Sequence, residues 1–174
     1  MTTTTANIAA WLEHRLDATL GFHLPAARLY GIVVNDPYSL ARDEPGCTNT
    51  ARSSFIGESR DVYSLIGGSC GVLARSFDAA AIVTGGWAAP MIDDASMSDR
   101  PSKHPERRRV RALAVVDDSG IASVLRFEDD PLQPVVMPEQ MVGDLVIALS
   151  SMWFGADDEI VNLRTTRGGC RRRP

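Results

Sequence analysis

The stretch RVRALAVVDDSGIASVLRFEDD, residues 109–130, constrains the fold more than any other part of the chain. Two aliphatic, β-branched runs flank Asp117-Asp118-Ser119-Gly120, a short polar turn that closes on glycine. Such a turn between alternating runs specifies an antiparallel hairpin, here over 109–127. Successive strand residues face opposite ways, so Val110, Ala112, Ala114 and Val116 share one side and Arg109, Arg111 and Leu113 the other. So apolar a hairpin belongs at or next to the centre of a larger antiparallel sheet, where its faces are covered.

The remaining pattern supplies partners for that hairpin. Residues 7–20, NIAAWLEHRLDATL, place Ile8, Trp11, Leu12, Leu16 and Leu20 on one helical face, with Asn7 to begin the helix and Gly21 to end it. RLYGIVVN (28–35) reads as a strand bounded by Pro25 and Pro37, and residues 78–90 as a strand ending in Gly85-Gly86-Trp87. The polar, proline- and glycine-broken stretches 36–58 and 91–109 read as long loops. Residues 137–155 predict a helix with Pro138 in its first turn, an apolar stripe from Met141 to Trp153, and Gly155 as its cap. The order predicts one α+β domain over 1–163: an antiparallel sheet of about four strands packed against about three helices. Residues 164–174 read as a basic, flexible tail.

Composition narrows the class of protein. A hydrophobic fraction of 44% with 23% charged residues is that of an ordinary globular chain. No apolar run approaches the roughly 20 residues that span a bilayer, and the N-terminus lacks the pattern of a signal peptide. The expectation is a cytoplasmic protein without membrane contact. Cys47, Cys70 and Cys170 are widely spaced, as are His14, His23 and His104, and neither set has the spacing of a metal site. No metal and no cofactor is expected. Lys103 is the one lysine against 17 arginines, a bias that fits a GC-rich bacterial or phage genome. The net charge of −4 is unevenly placed: residues 1–163 hold 13 basic against 22 acidic groups, and five arginines follow.

Four stretches are candidates for a site. Gly67-Gly68-Ser69-Cys70-Gly71 matches the G-x-S-x-G turn that presents a nucleophilic serine, with His104 and Asp78, Asp93, Asp94 or Asp99 as partners. That turn needs a strand before it, whereas Val62, Leu65, Ile66, Cys70, Leu73 and Phe77 have the spacing of one helical stripe. A glycine-bearing helix is therefore the stronger reading, with Cys70 on its buried face and close packing on the sheet as a reason for the glycines. A serine hydrolase at Ser69 remains a distant alternative. The second stretch, RPSKHPERRRVR (100–111), gathers Arg107, Arg108, Arg109 and Arg111, which either grip an anion or pair with the protein's own acids. Arg109 and Arg111 on one side suggest a sheet-surface patch. Trp87 lines a pocket, an interface or the core. In the tail, Arg171, Arg172 and Arg173 suit a polyanion, without interleaved aromatic residues.

No catalytic constellation is complete. The expected function is that of a small non-enzymatic accessory or regulatory protein working through protein contacts, with a protein partner or as a homo-oligomer. The alternative is a nucleic-acid-associated protein using the 100–111 cluster and the tail, against which the acidic body counts.

Overall fold

The hairpin organises the molecule. The computed structural model of the chain describes residues 4–35, 51–69, 73–89, 101–138 and 144–155. Strands β4 (Arg108–Asp117) and β5 (Gly120–Phe127) pair antiparallel from Val110↔Phe127 to Asp117↔Gly120. Asp117 closes the turn: its Oδ1 accepts from Ser119 N at 2.8 Å and Gly120 N at 3.1 Å. Gly120 has φ +145°, open to glycine and strained for an L side chain.

Four further strands complete one antiparallel sheet. These are β1 (Ala27–Val34), β2 (Ala51–Ser59), β3 (Ala79–Ala88) and β6 (Asp130–Pro138), in the spatial order β2-β1-β3-β4-β5-β6. β3 and β4 are central and β5 is next to them, as the hairpin requires. The sheet has six strands rather than about four. β2 emerges from the stretch 36–58 that reads as loop, and β6 from a proline-rich stretch. Both are edge strands, where polar residues and proline are tolerated.

The sheet is covered on both faces. Helix α1 (Thr4–Asp17) packs on one face against β4, β5 and β6. Its Ile8, Ala9, Leu12 and Leu16 meet Ala81, Val83, Leu113, Val115 and Val124. Short helices α2 (Val62–Gly68) and α3 (Leu73–Ser76) cover the other face together with α4 (Asp144–Phe154). There Ile66, Leu73, Leu149, Met152 and Trp153 bury Leu29, Ile82, Ala114 and Val116. Each fully buried aliphatic side chain contributes about 1.5–3 kcal/mol, so the two-sided burial of β3 and β4 anchors the fold. Trp153 Nε1 donates to Asp118 Oδ1 at 2.9 Å and ties α4 to the hairpin turn.

Three helical expectations change. α1 runs from Thr4 to Asp17, so Asn7 lies within it rather than at its start and Gly21 lies four residues past its end. The single stripe over 59–77 is divided between α2 and α3. Pro138 ends β6 rather than beginning a helix, and the described part of α4 starts at Asp144. Gly155, at φ 86°, follows α4 as the expected cap. Among the described residues, no helix is long and apolar enough to cross a membrane. The tail, with Arg171, Arg172 and Arg173, and Cys70 lie outside the described residues.

Candidate functional site

The residues before Ser69 are helical, not extended, so the strand that a nucleophile elbow requires is absent. Asp61 caps α2, its Oδ1 accepting from Tyr63 N at 3.1 Å and Ser64 N at 3.3 Å. Ser69 ends the helix and its Oγ donates to Leu65 O at 3.0 Å, which engages the hydroxyl within its own helix. A Cβ on Gly68 meets nothing within 4 Å, so close packing does not account for glycine there. His104 Nδ1 accepts from Glu106 N at 3.1 Å, within its own loop.

The arginine cluster separates into three environments. Arg108 is exposed and bound to Asp129 in a two-pronged pair, Nε–Oδ2 at 2.9 Å and Nη2–Oδ1 at 2.6 Å. Its guanidinium also lies 3.9 Å from the centroid of Phe127. This hydrogen bonding holds the Asp129 carboxyl below the usual carboxylate range and raises the Arg108 guanidinium above its ordinary value. Arg107 and Arg109 are exposed, and their ζ carbons lie 5.1 and 5.2 Å from the centroid of Trp87. Trp87 sits on β3 directly opposite Arg109 and is 38% exposed, so it belongs to the surface rather than the core.

Arg111 has the third environment and corrects the expected surface patch with Arg109. The two do share a face of the sheet, but α1 covers Arg111 completely. Its Nη2 donates to Glu13 Oε1 at 2.6 Å and Asp17 Oδ1 at 2.8 Å, and its Nη1 to the carbonyls of Leu20 and Gly21. The cross-strand partner of Arg111 is Arg126, whose Nε donates to the same Glu13 oxygen at 2.7 Å and whose Nη1 donates to Pro131 O. Two guanidiniums and two carboxylates thus lock α1, the segment after it, and β4–β6 together. Glu13 Oε2 and Arg111 Nε are buried without a hydrogen-bond partner among the described residues.

A groove opens on the same face where α1 stops short of β2. Tyr30, Ser53, Phe55, Arg28 and Glu58 line it from β1 and β2, Arg15 and Leu16 from α1, and Thr19 and Leu20 from the turn after α1, over a volume of about 640 Å³. Phe55 is 56% exposed and stacks edge-to-face on Tyr30, with ring centroids 5.8 Å apart. Arg28 Nε lies 3.2 Å from Glu58 Oε2. A bulge after Leu29 leaves Ile56 without a cross-strand partner on β1, and Ile56 is also exposed. Groove and edge lie outside the stretches singled out from the sequence. Phe55-Ile56, two adjacent large apolar residues in a polar segment, is the signal that marks them.

Among the described residues, no three metal-ligating side chains come together. Compared with known proteins, the chain matches no family model, no curated protein sequence and no solved structure.

Proposed function

We propose that this chain is a small non-enzymatic accessory or regulatory protein that works through protein contacts, with β2 as the contact edge. The supporting observation is the difference between the two sheet edges. β6 carries Pro131, Pro134 and Pro138, which lack the N–H that an added strand needs. Both edges expose large apolar side chains, Phe55 and Ile56 on β2 and Leu132, Val135 and Val136 on β6, but β2 runs for nine residues without proline. An extended segment that adds beside β2 gains main-chain hydrogen bonds, and the adjoining groove receives its side chains.

The occupant is a segment of a different protein rather than a second copy. Antiparallel self-pairing centred on Phe55 sets Arg52 across from Glu58. The bulge turns these two to opposite faces, since Arg52 lies opposite Val33 and Glu58 opposite Arg28, five residues apart on β1. Self-pairing therefore wins no ion pair.

The test is tagged capture from source cells with wild type and Phe55→Glu, alongside light scattering of the purified protein. Loss of the Phe55 ring stack costs about 1 kcal/mol, so the variant stays folded. The expected result is a monomer alone and a partner set that Phe55→Glu loses. An unchanged partner set, or a stable homodimer, overturns the assignment.

A nucleic-acid-associated role is the second reading, favoured by the exposed guanidiniums of Arg107 and Arg109. Binding of a labelled duplex that weakens with salt by about 0.9 log unit of K per log unit of salt for each phosphate contact supports it.

A further inference from the structure

We propose that Trp87, Arg107 and Arg109 form a recognition site for an acidic peptide segment of a partner protein, one that sets carboxylates beside an apolar residue. This rests on the protein-contact reading but concerns a surface other than the β2 edge, so either assignment can fail without the other.

Three observations carry it. The pairing of β1 with β3 ends at Arg28↔Val83, whereas β3 and β4 continue together to Ala88↔Arg108. Trp87 therefore stands where β3 has β4 on one side and, among the described residues, no strand on the other. Next, the guanidiniums of Arg107 and Arg109 both lie about 5 Å from the centroid of one half-exposed indole. Cation–π contact restrains these long side chains, which lowers the entropy lost when they grip an anion. Finally, neither guanidinium has a carboxylate partner among the described residues. Among the described residues the Arg107 guanidinium donates to His104 O, at 3.4 Å, while Arg28, Arg108, Arg111 and Arg126 each have an acid. The result is two restrained cations, without a carboxylate partner among the described residues, around an apolar platform. Carboxylates take the cations, in charge-assisted hydrogen bonds, and an apolar neighbour packs on the exposed part of the indole.

Neighbouring charge favours a peptide over a nucleic acid. Glu128 N donates to Arg109 O, Asp129 binds Arg108, and Asp130 follows at the start of β6. A phosphate backbone, with a charge at each nucleotide, has to run past these acids. A peptide with discrete carboxylates does not.

Fluorescence anisotropy tests the site with short fluorescein-labelled peptides of Gly-Leu-Glu and Gly-Leu-Gln repeats and a labelled single-stranded oligodeoxythymidylate. Variants are Arg107→Gln with Arg109→Gln, Trp87→Ala, and Arg108→Gln as the control arginine, each checked for an unchanged circular dichroism spectrum. The site predicts saturable binding of the Glu peptide, at least about tenfold tighter than the Gln peptide. It also predicts at least tenfold weakening in the double arginine variant and in Trp87→Ala, and less than twofold change in Arg108→Gln. Absent saturable binding, equal affinity for the Glu and Gln peptides, an unaffected double variant, or tighter binding of the oligonucleotide than of the Glu peptide overturns it.

Discussion

Glu13→Gln tests the buried ionic cluster with almost no change of shape. Glu13 is 2% exposed, and a single oxygen of its carboxylate receives both Arg111 Nη2 and Arg126 Nε. The substitution leaves two buried guanidiniums to share Asp17, whose side chain is 45% exposed. Breaking a buried pair by removing one partner costs about 3–5 kcal/mol, because the surviving charge is left uncompensated. For a chain of this length 1 kcal/mol corresponds to about 2–4 °C in Tm, so the loss is about 6–20 °C. Thermal unfolding followed by circular dichroism reads the shift, and urea unfolding gives the energy independently. Asp17→Asn, at a half-exposed position, costs less than about 1 kcal/mol. A double-mutant cycle between Glu13→Gln and Arg126→Gln yields a coupling of about 0.5–3 kcal/mol. Melting of Glu13→Gln within about 2 °C of wild type, a shift worth at most about 1 kcal/mol, refutes the reasoning.

Other features give their own tests. A Cβ on Gly31 falls 2.5 Å from the ring of Phe77, so Gly31→Ala displaces that ring and destabilises the protein by about 1–3 kcal/mol; a neutral variant contradicts this packing. Asp129 has its folded-state pKa depressed by Arg108, so the contribution of the pair is present at neutral pH and is lost as pH falls through that lowered value. Carbon NMR places its titration midpoint below that of an unpaired aspartate, and Arg108→Gln raises it; a wild-type midpoint at or above the unpaired value contradicts the pairing. Ser69 is bound within its helix, so a fluorophosphonate probe leaves it unlabelled and Ser69→Ala melts within about 0.5 kcal/mol of wild type; covalent capture revives the hydrolase reading.

The parts of the fold legible in the sequence are those where one physical signal dominates. The β4–β5 hairpin is written by alternation around Asp117–Gly120, and β1, β3 and α1 by β-branched runs or a helical stripe. The edge strands are not legible in the same way. β2 exposes most of its residues and so shows no apolar alternation, and the prolines of β6 read as breakers although an edge accommodates them. The stripe from Val62 to Phe77 places Ile66 and Leu73 correctly in the core but does not show that Ser69 ends the first helix. Arg111 illustrates the limit at the candidate site. Charged residues are read as solvated by default, yet this one is fully buried. Its burial has a signature: Arg111 and Arg126 lie across from each other in the hairpin register, and Glu13 and Asp17 are one helical turn apart on α1. That signature becomes readable only once α1 is known to cross β4 and β5. Trp87 is the reverse case, since a tryptophan at a strand end is more often core, and here β3 outruns the helix that would cover it.

The protein-contact role is tested most directly by site-specific photo-crosslinking in source cells, with a benzophenone amino acid placed at Phe55 on β2 or at Leu132 on β6. Both residues are exposed, so the photophore reaches solvent at each edge. The account predicts one discrete adduct with another protein from position 55 and none from position 132. Equal labelling from both edges, or no adduct from position 55, contradicts it.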